Sequence, residues 1–166
     1  MKIGILSDTH GNLERTKYAV SSLLDKKVQH VIHCGDIGSE EVLIEITRLL
    51  HNTGIKMDAV LGNVDVYNNA VEHFPESSGI TVKRFHRLTL DGKYIAVFHG
   101  DDFQALQNAI EENEFDYIFT GHTHEADDRH IGDVRVINPG AVHHTAKPGF
   151  ATLDLESGEL TYFPIH

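Results

Sequence analysis

The sequence predicts an α/β fold in which two mixed sheets pack face to face with helices outside. Three observations predict it. The first half alternates apolar strand-like runs with amphipathic helical runs, which implies a largely parallel sheet. The second half carries hairpin signals, with Asp91-Gly92, Gly132-Asp133 and Ser157-Gly158 each set between apolar runs. Strand after strand ends in a glycine beside a polar, ligand-type side chain. In open α/β sheets function gathers at those carboxyl ends.

Lys2–Ser7 reads as the first strand, followed by Asp8-Thr9-His10-Gly11. Asn12 is placed to cap a helix whose apolar positions Leu13, Tyr18, Val20, Leu23 and Leu24 fit one face imperfectly. Val28–His33 is the second strand and ends in Cys34-Gly35-Asp36. Ser39 is expected to cap a second helix, in which Val42, Leu43, Ile46, Leu49 and Leu50 form a clean stripe, with Gly54 as its stop. Met57–Leu61 is the third strand and ends in Gly62-Asn63-Val64-Asp65. The polar, turn-rich stretch from Tyr67 to Gly79 is expected to lie over the site.

Val82–Leu90 and Lys93–Phe98 read as hairpin strands, the latter ending in His99-Gly100. Asp102–Glu112 is expected to be a helix with Phe103, Leu106 and Ile110 inward. Phe115–Thr120 reads as a buried strand that ends in Gly121-His122-Thr123-His124. If that segment is extended, both imidazoles face one point. Hairpins at 126–137 and 150–163 complete a chain read as one domain over residues 1–166.

Composition narrows the function. The 166 residues are 40% hydrophobic and 23% charged, ordinary for a globular chain. A net charge of −11 without a Lys/Arg cluster argues against a nucleic-acid groove. No run is long enough to cross a bilayer and no signal peptide is evident. The one cysteine, Cys34, suits a reducing cytoplasm. Thirteen histidines are the unusual feature.

The strand ends supply Asp8, His10, Asp36, Asn63, His99, His122 and His124. Seven such groups are too many for one four-coordinate ion and suit two ions sharing a bridge. A carboxylate can bridge because it has two oxygens. Mixed imidazole and carboxylate ligation suits manganese, nickel, iron or zinc, and is poor for calcium. Two ions ~3.5–4 Å apart form a clamp for displacement at phosphorus.

Asp8-x-His10, Gly35-Asp36, Gly62-Asn63, His99-Gly100 and Gly121-His122-x-His124, in that order, resemble the five motifs of the calcineurin-like metallophosphoesterases. The compact length and Ser7-Asp8-Thr9-His10-Gly11 resemble the small phosphodiesterases of the YfcE type within that superfamily. The resemblance implies a four-layered α/β/β/α sandwich. It implies hydrolysis of small phosphate diesters by hydroxide derived from metal-bound water, with two divalent ions per chain, manganese foremost. Asp8, His10, Asp36 and His124 would hold one ion. Asp36, Asn63, His99 and His122 would hold the other. Asp36 would bridge and Asn63 would also orient the phosphate, which makes these two the catalytic residues.

Two departures from the family pattern stand out. Many members have a histidine where this chain has Val64, so Asp65 has no ring to orient. Asp101 and Asp102 follow Gly100, where some relatives place a histidine; they would bind metal or repel an anionic substrate. Other positions read more plainly. His33 is taken as a residue behind the ligands and Cys34 as a small buried hydrophobe. His143 and His144 could touch substrate but read as exposed loop residues. His30, His51, His73, His86, His130 and His166 read as surface residues. Asn138-Pro139-Gly140 lines the site or is a plain turn, and Lys147-Pro148-Gly149 is a loop.

The expected partner is a small phosphate ester, with no membrane and a possible homo-oligomer. Two alternatives belong to other classes. One is a protein-interaction scaffold of the retromer-subunit kind, which should have lost ligands. The other is a nuclease, which should carry a basic track.

Overall fold

The computed structural model describes residues 1–68, 71, 74–75, 78–143 and 145–166. His73 and His144 therefore lie outside the described residues, as does part of the stretch between Tyr67 and Gly79. The element order is β1 (Lys2–Leu6), α1 (Leu13–Asp25), β2 (His30–His33), α2 (Glu40–Leu50), β3 (Lys56–Val60) and α3 (Asn63–Asn68). It continues with β4 (Ile80–Lys83), β5 (His86–Leu90), β6 (Lys93–Val97), α4 (Phe103–Glu112) and β7 (Tyr117–Phe119), and ends with β8 (Ala126–Ile131), β9 (Val134–Pro139), β10 (Gly149–Asp154) and β11 (Leu160–Pro164).

The strands form a six-stranded sheet, ordered β11-β10-β1-β2-β3-β4, and a five-stranded sheet, ordered β5-β6-β7-β9-β8. β1 to β4 run parallel, and β10 joins β1 antiparallel with Ile3 opposite Leu153. In the second sheet β6, β7 and β9 run parallel while β5 and β8 are antiparallel edges.

Side-chain alternation sorts the residues into layers. Ile3 and Ile5 of β1 join Ile32, Val60, Ile95, Val97, Tyr117, Phe119 and Ile137 in the core between the sheets. Leu6, facing the other way, joins Val20 and Leu23 of α1 and Val42, Leu43 and Ile46 of α2 in the core outside the first sheet. Ile118 of β7 does the same against Leu106 and Ala109 of α4. The result is the four-layered α/β/β/α arrangement.

Several local expectations change. Val82–Leu90 is not one strand. It divides into the end of β4 in the first sheet and the whole of β5 in the second, with bends at Arg84 and Phe85 between. Arg84 holds that crossing, donating from Nη1 to the Leu61 carbonyl at 2.7 Å and from Nη2 to Asp101 at 2.6 Å. Asp91 and Gly92 both have positive φ, 52° and 76°, the backbone of a tight hairpin turn. Asn12 caps α1 by accepting from the Arg15 N–H. Ser39 sits at the cap of α2 but makes no capping bond, and α2 ends at Leu50, short of Gly54.

Phe103 is 71% exposed, not inward, because α4 buries the Leu106 and Ala109 face against β6 and β7. Leu13 and Tyr18 of α1 are likewise exposed. His30 and His86 are buried, against expectation. Asp58 of β3 draws them in: His30 Nε2 lies 2.8 Å from its Oδ2 and His86 Nδ1 lies 3.6 Å from its Oδ1. His51, His130 and His166 are exposed as read. No described helix is long and apolar enough to cross a membrane.

Phe119 and Phe103 make opposite predictions. Phe119→Ala opens a cavity between the sheets and should cost about 3–5 kcal/mol, whereas Phe103→Ala should stay within about 0.5 kcal/mol. Urea unfolding of both variants checks this, and an equal loss would mean that the face of α4 is misassigned.

Candidate metal centre

β1, β2 and β3 of one sheet and β6 and β7 of the other end at a common edge, and their loops interlock there. The loops after β1 and β2 continue as paired backbone. Asp8, His10 and Gly11 donate N–H bonds to the carbonyls of Gly35, Asp36 and Ile37, each at 2.9 Å. Gly121 N–H donates to the His99 carbonyl at 2.9 Å, and His122 N–H to Asp8 Oδ2 at 3.1 Å. The second sheet is thereby joined to the first.

This edge concentrates unusual backbone. Asp8, His10, Asp36, His122 and His124 have φ of 52°, 44°, 52°, 67° and 62°. Side chains other than glycine seldom adopt the left-handed region, and such strain gathers at functional sites. The His122-Thr123-His124 segment is therefore a turn rather than an extended strand. Its two rings serve different halves of the site: His122 lies edge-on to His99 at 5.1 Å between centroids, and His124 edge-on to His10 at 5.4 Å. The close approach also requires glycine. A Cβ on Gly62 would stand 2.1 Å from Asp36 Oδ1, and one on Gly121 would stand 2.0 Å from Ser7 Oγ.

Asp8, Asp36 and His99 are buried, His10, Asn63 and His124 half-buried, and His122 exposed. Asp36 divides its carboxylate. Oδ1 accepts the Val64 N–H at 3.0 Å, while Oδ2 stands 3.4 Å from His10 Nε2 and 3.3 Å from His99 Nε2. A bridge here would run through that single oxygen, not through both. Asp8 Oδ1 stands 3.1 Å from His124 Nε2 and 3.7 Å from His10 Nε2.

These contacts are near enough for ion pairs but are not aligned as hydrogen bonds. Asp8 Oδ1, His10 Nε2, Asn63 Oδ1 and His99 Nε2 are all buried without a hydrogen-bond partner among the described residues. Buried polar atoms are rarely left so. Atoms that crowd together without bonding to one another fit a shared cation. The ligand atoms of Asp8, His10, Asp36 and His124 lie within 4.8 Å of one another. Neighbouring ligands on one ion with bonds of ~2.1 Å would stand about 3–4 Å apart. That set of nitrogen and oxygen donors fits a divalent cation. Beside it, Asp36 Oδ2 faces His99 Nε2 and His122 packs edge-on to His99.

Electrostatics follow from the crowding. Burial opposes ionisation of Asp8, but His10 and the Ser7 hydroxyl beside it, with the rings of His99 and His124, outweigh it and hold the carboxyl below its ordinary range. Burial likewise opposes Asp36, and His99 with the Val64 N–H reverses the balance. Asp8 raises His10; His99 is raised by Asp36 and Asp8 despite its burial. The imidazoles must shed those protons when a metal binds.

The surrounding polar groups brace the loops. His99 donates from Nδ1 to the Cys34 carbonyl at 2.8 Å, which leaves Nε2 facing the site. Cys34 is buried as read, and burial pushes its thiol up. Asp65 is not idle in the absence of a histidine at 64. It accepts N–H bonds from Gly62, Ile37 and Gly38 at 2.9, 3.0 and 2.8 Å, tying the Asn63 loop to the Asp36 loop. Burial outweighs those bonds and raises its carboxyl. Its place in the first turn of α3, where carboxylates meet free N–H groups, is the signal that could have revealed this.

Asn138 is buried and donates to the Gly121 carbonyl at 2.7 Å and to Thr123 Oγ1 at 3.1 Å, so it props the His122–His124 turn. Asp101 and Asp102 are committed elsewhere, to Arg84 and to the cap of α4. His143, read as an exposed loop residue, is half-buried against His10 and His124.

His33 yields a pH prediction. It is fully buried behind Thr9; Nδ1 accepts the Gly35 N–H at 3.2 Å, so Nε2 donates to Thr9 Oγ1 at 3.0 Å. Burial lowers it from 6.5 to about 4. The unfolded chain takes up this proton first, so the contribution is whole above pH ~6.5 and is lost as pH falls towards ~4, at most about 3 kcal/mol. Denaturant midpoints across that window should fall less steeply in His33→Asn than in the parent. Parallel slopes would remove His33 from the account.

A family model for the calcineurin-like phosphoesterase superfamily domain matches residues 1–158. Phosphodiesterase MJ0936 of Methanocaldococcus jannaschii is 33% identical over 163 residues, which covers 96% of each chain. A solved structure of a novel archaeal phosphodiesterase superposes with a TM-score of 0.89 at 31% identity, over 99% of this chain and 100% of that one. YfcE, a phosphoesterase from E. coli, shares the fold with a TM-score of 0.69 at 20% identity, over 100% of both chains.

Proposed function

The chain belongs to the calcineurin-like phosphoesterase superfamily, and from that premise we propose that it is a two-metal phosphodiesterase of small phosphate diesters. The observation that carries the reading is that buried atoms of Asp8, His10, Asn63 and His99 have no hydrogen-bond partner among the described residues, while an oxygen of Asp36 stands between His10 and His99. Asp8, His10, Asp36 and His124 would hold one cation, and Asp36, Asn63, His99 and His122 the other. Such cations supply Lewis acidity at phosphorus and ionise water near neutral pH. Manganese is the first candidate, with nickel, iron and zinc also suited to this donor set.

The chain's own residues then have distinct tasks. Asp36 holds both halves of the site at a fixed spacing, because Val64 N–H pins one oxygen and turns the other inward. Asn63, whose Oδ1 would hold a cation, would keep an amide N–H to donate to a phosphate oxygen. Val64 offers no proton to the leaving oxygen. A net charge of −11 disfavours a polyanionic nucleic acid as substrate. A cytoplasmic location fits the one buried, unpaired cysteine. The full ligand set argues against a scaffold that has abandoned catalysis.

Asp36→Asn tests the bridge. It should weaken both sites and lower kcat/KM by at least the ~10–100-fold that follows loss of a partner behind a metal ligand. Metal analysis alongside turnover of a nitrophenyl diester measures both, and near-normal activity would sink the assignment.

Val64 sets a second test. General acid catalysis contributes ~10²–10⁴-fold, so the wild type should favour aryl esters and fall steeply as leaving-group pKa rises. Val64→His should flatten that series by improving alkyl esters. The gain should sit at or below the lower end of the ~10²–10⁴ range, because Asp65 already holds three N–H groups and is fixed by them rather than free to turn toward the ring. A flat wild-type series would mean that another group supplies the proton.

A further inference from the structure

His143 lies outside every motif that carries the family resemblance, yet it is held from several sides. Its N–H donates to the Asp8 carbonyl at 3.0 Å, and its carbonyl accepts from Arg15 Nη1 at 3.1 Å. Its ring packs on His10 with centroids 4.3 Å apart and on His124 with centroids 4.6 Å apart. Its Nε2 stands 3.2 Å from His124 Nδ1.

The two nitrogens of His124 thus face different groups. Nε2 is 3.1 Å from Asp8 Oδ1, among the candidate ligands, and Nδ1 faces His143. A ring nitrogen that binds a cation must be unprotonated, so the one proton of neutral imidazole goes to the other nitrogen. With Nε2 as ligand, His124 carries its proton on Nδ1 and needs an acceptor there. His143 Nε2 occupies that place. The ligand atoms of His10, His124 and His143 also lie within 4.8 Å of one another, which raises a second role for His143 as a ligand. The donor set decides between them. A cation among three imidazoles would forgo both carboxylates, whereas the group with Asp8 and Asp36 includes them.

We propose that His143 is a positioning residue: it accepts the Nδ1 proton of His124 and so fixes the tautomer and ring orientation that present Nε2 to a divalent cation. The proposal rests on the metal-dependent reading above. The N–H bond to the Asp8 carbonyl gives the arrangement its precision, since the acceptor moves with the loop that carries two other ligands.

The test uses the full chain, stripped of metal and titrated with zinc alone against a competing chelator. His143→Phe fills the ring's space without an acceptor, and His143→Gln restores an acceptor oxygen. His143→Phe should weaken one of two zinc sites by about 10–100-fold and leave the other unchanged, and His143→Gln should recover most of the loss. In zinc-loaded wild type, imidazole nitrogen NMR should find the His124 proton on Nδ1. Unchanged affinity in His143→Phe overturns the proposal. So does loss of one ion outright in both variants, which would make His143 a ligand. Wild type that binds no zinc overturns it together with the metal reading, and is recognised because no variant is needed to see it. If His143→Phe does not fold, the wild-type spectrum decides: an unprotonated His124 Nδ1 overturns the proposal.

Discussion

A buried carboxylate needs compensation, and Asp36 is the point from which the strand-end architecture follows. Its ionised form is costly at that depth unless donors or cations surround it. One oxygen takes a backbone N–H from the first turn of α3, which follows β3, and the other faces His10 from the loop after β1 and His99 from the loop after β6. Three segments from two sheets are therefore referred to one functional group. A side chain at Gly62 would collide with Asp36, and the backbone at Asp36 itself is left-handed.

That strain has to be held by other bonds. Asp65 gathers the N–H groups of Ile37 and Gly38, next to Asp36, and of Gly62 after β3, and Asn138 gathers the turn that carries His122 and His124. His33 and Thr9 add a neutral pair beneath them. These residues would touch no substrate. They hold the polar atoms above them in place, and several of those atoms are buried without a hydrogen-bond partner among the described residues.

The layers and the candidate ligands were legible because both follow from short-range pattern. Ile3, Ile5 and Phe119 alternate with their neighbours, and Asp8, Asp36 and Asn63 stand immediately after such runs. What escaped depends on contacts distant in sequence. Asp58 lies 28 residues from both His30 and His86, so nothing local marks those histidines as buried. His143 lies 19 residues from His124, and its role depends on how the two loops meet. The break within Val82–Leu90 escaped because β propensity persists across Arg84 and Phe85 while the chain changes sheet. The reading of His122 and His124 as extended failed for a local reason: left-handed backbone at histidine is rare enough that pattern alone does not suggest it.

The pairing of β1 with β10 bears on how the protein is made. Ile3 lies opposite Leu153, so the strand that leads into Asp8 lacks a neighbour on one side until residues 149–154 have left the ribosome. Contacts of that sequence separation form slowly, and an unpaired apolar strand edge invites other chains. Until then the strand pairing open to β1 is with β2, which in turn pairs β3, and the Asp8 carbonyl waits for the N–H of His143. The nascent chain therefore carries the Asp8, His10 and Asp36 side chains well before the fold can set their spacing.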